Sequence, residues 1–452
     1  MTTEPTPDSE LLPIVANQID AAPQQQISFA EFMELVLYHP KHGYYASKAA
    51  IFGPQGDFIT SPHWGHDFGE LLAVQFADLW NLLERPQPFQ LVEMGAGQGL
   101  VAADVLSYLQ RHHPDCFAAL EYTIVEKSAA LKADQQQRLA PWQAFLQWTS
   151  LDEIAPITGC IFSNELVDAF PVHLVEKRQG QLWEVFVANG DGGVEADEGD
   201  GEGRRGLRRE RSAERDAGTR GRGDGPSPIT HHPLPITHHP SPITHFTEVL
   251  APVSTPQINE YFALVGIDLL SGQYPDGYRT EVNLAALDWV AAIAAKLHRG
   301  YVLTIDYGHL AHRYYSPARR SGTLKCYYQH RHHDNPYLYM GEQDITAHVD
   351  FTALEKQGQP LGLEKVGFTQ QALFLMALGI GDRMAALSQA RSQPQAGSQQ
   401  TLQSLLQRRE TLRQLIDPMG LGNFGVLLQS KAVENPQLPK GFQEPEMASS
   451  RI

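Results

Sequence analysis

Cysteine is scarce in this sequence, and so are clustered positive charges and long apolar runs. The three cysteines among 452 residues, Cys116, Cys160 and Cys326, are odd in number and widely spaced, which excludes a disulfide framework and the paired spacings of a zinc site. They read as buried thiols in a reducing compartment. No uninterrupted apolar stretch approaches the roughly 18 residues a membrane span requires, so membrane insertion is not expected. The net charge of -17 argues against a general nucleic-acid binder, whose phosphate affinity comes from clustered Lys and Arg. A basic or cationic partner suits the charge better. The first twenty residues carry Glu4, Asp8, Glu10 and Asp20 with no Lys or Arg, which fits neither a signal nor a transit peptide, and the cytoplasm is the expected compartment.

What is present is a globular composition, 42% hydrophobic, organised around one conspicuous turn. Residues 90 to 99 read Gln-Leu-Val-Glu-Met-Gly-Ala-Gly-Gln-Gly, a short strand that ends in an acid and runs into glycines at every second position. Gly95, Gly97 and Gly99 permit positive φ and close approach of backbone to a ligand. The dinucleotide fingerprint G-x-G-x-x-G would need glycine at 100, where Leu100 stands. Glu93 would repel a pyrophosphate but suits a cofactor carrying positive charge, such as S-adenosylmethionine (SAM). The spacing leans toward a SAM methyltransferase, with a nicotinamide oxidoreductase as the weaker alternative.

The surrounding elements alternate as in an α/β protein. Tyr122 to Val125, Cys160 to Ser163 and Tyr301 to Ile305 are short, uniformly apolar runs, the pattern of parallel strands covered on both faces. Each ends in a polar residue: Glu126, Asn164 and Asp306. Ligands of open α/β sheets bind at the carboxyl ends of strands, so these three and Glu93 are expected to line one crevice. Ser28 with Glu31, and Asp67 with Glu70, have capping-box spacing and should open helices. Residues 190 to 245 break the pattern with eleven glycines, a run of arginines and three copies of Pro-Ile-Thr-His. Lacking the apolar residues for a core, this segment reads as a disordered insertion between two strands, 182 to 187 and 246 to 250. A methyltransferase domain is expected over 27 to 431, between flexible tails at 1 to 26 and 432 to 452.

Glu126 follows Gly99 by one helix and one strand, where an acid can accept both hydroxyls of a ribose; otherwise it is a solvated strand end. Gly56-Asp57-Phe58-Ile59-Thr60-Ser61-Pro62 is rich in turn formers and by itself could be any loop. In Asn164-Glu165-Leu166-Val167-Asp168, two carboxylates and an amide gather after a strand, either as helix caps or beside the transferable methyl. His348 and Asp350 are either a base with its orienting partner or a capped helix start. The histidines at 330, 332 and 333 lack ligand spacing, and no metal is expected.

Those strings, together with Phe-Gly-Glu-Leu-Leu (68 to 72), Asn-Glu-Leu-Val-Asp-Ala-Phe-Pro-Val-His (164 to 173), Ile-Asp-Tyr-Gly (305 to 308) and Asp-Ile-Thr-Ala-His-Val-Asp-Phe (344 to 351), occur in an order that resembles the MidA family. This is a family of class I SAM-dependent methyltransferases, the bacterial relatives of a mitochondrial complex I assembly factor that methylates arginine. The resemblance implies a seven-stranded, Rossmann-like methyltransferase sheet with an added family-specific subdomain, and SAM as donor. It suggests that Gly56, Asp57, Thr60 and Ser61 fold over the cofactor beside Glu93, Gly95, Gly97, Gly99, Glu126 and Asn164. For catalysis it puts Glu165 and Asp168 first, to hold a planar guanidinium by paired hydrogen bonds, with Asp306, Tyr307, His348 and Asp350 behind them. The implied acceptor is a protein, a subunit of an NADH-dehydrogenase-type complex; a homodimer is compatible with the sequence. Many relatives have an acid after Thr-Ser-Pro where this chain has His63-Trp64, so any role of that acid does not carry over. A scaffolding factor that keeps the cofactor fold without useful catalysis is the competing function.

Overall fold

The computed structural model describes residues 10–47, 61–190, 245–329, 331–392, 399–434 and 437–444. Seven strands make the central sheet: β1 Phe89–Met94, β2 Leu120–Val125, β3 Leu146–Thr149, β4 Ile157–Asn164, β5 Leu297–Asp306, β6 Glu364–Gln370 and β7 Gly425–Lys431. Their spatial order is β3-β2-β1-β4-β5-β7-β6. The first five are parallel to their neighbours, and β7 runs antiparallel to both β5 and β6. The apolar runs seen in the sequence occupy the middle of this sheet because both of its faces are covered. Helices Asp67–Leu82, Leu100–His112 and Gln371–Ala377 pack on one face, and Leu284–Lys296 and Phe351–Gly358 on the other. Strand order reverses at β1, with β2 on one side and β4 on the other, which opens a crevice at their carboxyl ends.

A second, antiparallel sheet forms the added subdomain. Gln181–Asn189 lies at its centre, with Phe246–Pro252 along one edge, and His173–Arg178 and Gln26–Ser28 on the other; Tyr278–Val282 continues beyond His173–Arg178. The two strands expected on either side of the insertion are thus a hairpin, and the insertion itself lies outside the described residues. Helices Leu11–Ala21 and Phe29–Tyr38 cover this sheet through Val15, Ile19, Phe32, Met33 and Val36. A three-stranded sheet, Lys325–Tyr328, Arg331–His333 and Asp344–Thr346, joins the same core through Cys326 and Ile345.

Three expectations change. Residues 10 to 26, read as part of a flexible tail, hold helix Leu11–Ala21, whose Leu11, Val15 and Ile19 form a fully buried stripe at every fourth position. Within the expected C-terminal tail, Phe442 packs on Phe374 at 5.5 Å between ring centroids, and Gly441 N–H donates to Gln75 Oε1 at 2.8 Å. Ser28 and Glu31 do form a reciprocal capping box, but Asp67 caps nothing. Its carboxylate, 4% exposed, accepts from Arg383 and Arg408, tying the start of its helix to Ile380–Ser392 and Gln399–Leu415.

Candidate active site

The three glycines after β1 all take left-handed backbone: φ is +68° at Gly95, +52° at Gly97 and +74° at Gly99. At Gly97 the space a Cβ would enter is open, leaving bare backbone toward a ligand. Gly99 N-caps helix Leu100–His112, so the helix's unpaired N–H groups face the same crevice. Glu93 is 3% exposed and accepts from the Tyr122 hydroxyl at 2.7 Å. Burial holds its carboxyl up at about 7.

At the end of β2, Glu126 Oε1 accepts from Ser128 N–H at 2.9 Å and Oε2 from Gln135 Nε2 at 3.1 Å. Lys127 N–H adds a backbone contact, and the lone-pair capacity that remains on the carboxylate can accept a ribose hydroxyl. Gln135 also donates to Gly97 O at 2.8 Å and accepts from Trp148 Nε1 at 3.0 Å. It therefore locks the glycine turn to the acid that follows β2. Sequence reading missed Gln135 and Trp148, since nothing local marks them; the contact is made across β1, β2 and β3.

The residues after β4 turn sharply. Glu165 sits at φ +51°, a costly conformation for a side chain of its size. Its Oε1 accepts from Ser61 N–H at 3.0 Å and Asn164 Nδ2 at 3.1 Å, and burial holds its carboxyl up at about 7. Asn164 Oδ1 is buried without a partner among the described residues, an unusual cost for an amide acceptor. Gly56, Asp57 and Thr60 lie outside the described residues, while Ser61 is fully buried against Glu165.

A cleft of about 1420 Å³ opens here, walled by Glu93, Gly97, Glu126, Asn164 and Glu165 on one side and by Tyr38, Tyr45 and His173 of the added subdomain on the other. Single-ligand pockets run to about 300–1,000 Å³, so there is room for a cofactor and an acceptor group together. His63 lines it too, its Nε2 3.4 Å from Gln98 Oε1, and Trp64 packs into the main core.

Asp306 does not line the crevice as its strand-end position suggested. It is fully buried, and its carboxylate accepts from the N–H groups of Leu166, Val167 and Tyr307. These donors favour its ionised form, although burial leaves it raised, at about 6. Asp168 lies behind the cleft wall, where burial, then the charges of Asp306, Asp344 and Glu165, push its carboxyl well above the usual range. Asp344, quoted in the motif but given no role by the sequence, accepts from Tyr45 Oη at 2.9 Å.

Asp350 caps helix Phe351–Gly358 through Thr352 N–H and Ala353 N–H and accepts from Tyr261. No hydrogen bond joins it to His348. His348 stacks edge-on with Tyr307 and His309, its Nδ1 is buried without a partner among the described residues, and burial lowers it to about 3. Of the two open readings, the helix-cap geometry is the one present. No group of side chains able to hold a metal occurs among the described residues.

The family model described as "Putative S-adenosyl-L-methionine-dependent methyltransferase" matches residues 71–369, about two thirds of the chain. The chain belongs to this family of SAM-dependent methyltransferases. Among family relatives, the mitochondrial protein arginine methyltransferase NDUFAF7 homolog of Drosophila melanogaster is 28% identical over 78% of this chain and 71% of its own length. Human NDUFAF7, a mitochondrial protein arginine methyltransferase, is 24% identical over 94% of this chain and 85% of its own. The crystal structure of a COG1565 superfamily protein from Burkholderia thailandensis, bound to S-adenosyl-homocysteine, superposes with a TM-score of 0.75 at 28% identity, covering 98% of both chains. These relatives agree with the MidA resemblance carried by the motifs. SAM is the family's cofactor, and the nicotinamide alternative falls away. The residues here fit SAM: an open glycine backbone, an oriented carboxylate with remaining acceptor capacity at Glu126, and a buried amide oxygen at Asn164 without a partner among the described residues. No helix among the described residues is long and apolar enough to cross a membrane.

Proposed function

We propose that this methyltransferase acts on an arginine side chain of a protein, and that the protein is a subunit of an NADH-dehydrogenase-type complex. The observation that carries the reading is Glu165, held in the cleft wall by Ser61 N–H and the Asn164 amide, with Asp168 behind it, which burial and then the charges of Asp306, Asp344 and Glu165 push well above the usual carboxylate range. So much negative charge in one buried place is expensive until a cation enters, and a guanidinium is a cation that carboxylates can hold in two directions. The names of the mitochondrial relatives support the same acceptor.

In this reading Gly97 and Asn164 hold the donor end, Glu126 takes the ribose hydroxyls, and Glu165 faces the acceptor nitrogen. SAM, when bound, supplies a methyl group on a sulfonium. Methylating a protonated guanidinium releases one proton, and a carboxylate held at about 7 is matched to receive it at neutral pH. Glu165 Oε1 is fixed by Ser61 N–H and the Asn164 amide, so the side chain is oriented before the acceptor arrives and little reorganisation is needed.

Glu165→Gln keeps an oxygen for Ser61 and loses the charge. It should leave SAM affinity within about twofold and slow methyl transfer at least about tenfold. The assay is radiolabelled methyl incorporation into proteins from cells lacking this chain, followed by acid hydrolysis and identification of the labelled amino acid. Normal turnover in Glu165→Gln would remove Glu165 from the mechanism. Label in methyllysine instead of methylarginine would overturn the acceptor, and absence of any label with SAM bound would favour the scaffolding function. Mass spectrometry of NADH-dehydrogenase subunits from cells with and without the chain tests the partner.

A further inference from the structure

The wall of the cleft opposite the glycine turn carries two stacked tyrosines. Tyr38, on helix Phe29–Tyr38, and Tyr45 lie with ring centroids 5.3 Å apart and planes inclined by 25°. Both hydroxyls are tied down: Tyr38 Oη donates to Ala169 O at 2.9 Å, and Tyr45 Oη to the Asp344 carboxylate. The rings therefore cannot swing, and both line the cleft. Burial, then the charges of Asp344, Glu34, Asp168 and Glu126, push the Tyr38 hydroxyl well above its usual range, so this ring stands among carboxylates. Over the Tyr38 ring, 5.5 Å from its centroid, sits the ammonium of Lys127. Lys127 follows Glu126 directly and makes no ion pair with any carboxylate among the described residues.

We propose that the Tyr38–Tyr45 stack is the platform on which the acceptor's cationic side chain lies, and that Lys127 is the chain's own, exposed cation, which the acceptor displaces from it. This rests on the reading of the acceptor as a guanidinium and adds the surface that selects it. A ring face attracts a cation through its quadrupole, and a planar guanidinium covers that face better than an ammonium does. The seat of Lys127 shows that a cation is accommodated there. Because Lys127 is exposed and has no carboxylate partner among the described residues, leaving the ring costs it little, and an entering guanidinium can take both the ring and the nearby acids. The arrangement sets two demands on an acceptor, positive charge and flatness, and the second separates arginine from lysine.

Removing the ring and removing the competitor should act in opposite directions. Tyr38→Leu is expected to raise KM for the protein acceptor about five- to tenfold with kcat much less affected, the loss of one cation–ring contact. Tyr38→Phe should recover most of that loss because the ring stays. Lys127→Met should lower KM about two- to threefold. The probe is the extract of cells lacking this chain, titrated as acceptor at saturating labelled SAM, with methylarginine counted in the hydrolysate. SAM titration and the thermal midpoint of each variant guard against a mere folding defect. If methylarginine forms but Tyr38→Leu has the KM of the unaltered protein, or Lys127→Met raises KM, the platform is wrong while the arginine reading stands. If the labelled product is not methylarginine, the underlying reading fails instead.

Discussion

At the scale of single residues, the donor half of the site depends on carboxyls that burial keeps partly protonated. Glu93 is nearly inaccessible, and its folded value of about 7 stands above the ordinary 4.5. A carboxyl raised in this way stabilises the cofactor-free fold fully below its unfolded value, and that contribution is lost as pH climbs through about 7. A cationic cofactor favours the ionised form, so binding should release protons and tighten as pH rises. We expect SAM affinity to increase severalfold between pH 6 and pH 8, with proton release visible by calorimetry in two buffers of different ionisation enthalpy. In Glu93→Gln the slope should be largely lost, because Glu165 acts on the acceptor side and contributes little to SAM affinity. An affinity independent of pH would show that Glu93 does not titrate on binding. The glycines, Glu93 and Glu126 could be read from the sequence because each sits at a fixed offset from a strand end. Gln135, Tyr38 and Lys127 could not, because their roles depend on which distant backbone or ring they meet.

At the scale of elements, Asp67 shows how a local pattern can mislead. Its spacing to Glu70 is that of a capping box, yet the two acids form a hub with Arg383, Arg408 and Arg111. The partners of Asp67 lie 316 and 341 residues further along the chain, and no window-based reading can see such a pairing. Helix Leu11–Ala21 was missed for a related reason: its buried stripe is only three residues long, and its worth comes from the sheet beneath it. Asp67→Ala leaves the partly buried Arg383 with Glu70 as its remaining carboxylate and takes the acceptor from Arg408, and should lower the unfolding free energy by about 2 kcal/mol. Combining it with Arg383→Met should recover part of that loss, because a neutral side chain then fills the place of a charge left with one of its two carboxylates. Urea unfolding measures both; a cost below about 1 kcal/mol for Asp67→Ala would mean that the hub behaves as an ordinary surface pair.

At the scale of the whole molecule, the parallel sheet holds the donor and the antiparallel subdomain supplies the facing wall, so the two halves must keep their relative position. The hairpin Gln181–Asn189 and Phe246–Pro252 belongs to that wall, since Glu184 on its first strand holds His173 at 2.7 Å and Ser254 N–H at 2.6 Å. Between its strands the chain runs on through residues 191 to 244, yet Gly190 N–H donates to His245 O at 2.8 Å. The exit and return of the chain are therefore hydrogen-bonded neighbours, and a turn of a few residues can join them without moving either strand. Closing a loop costs entropy that grows with the logarithm of its length, so replacing the 54 residues from 191 to 244 by a four-residue Gly/Asn turn should stabilise the fold by about 2 kcal/mol. Cofactor affinity and methyl transfer should be unchanged, because no residue assigned to donor or acceptor lies in the removed segment. Loss of transfer with SAM binding intact would instead give the arginine and histidine runs of that segment a part in recognising the acceptor protein.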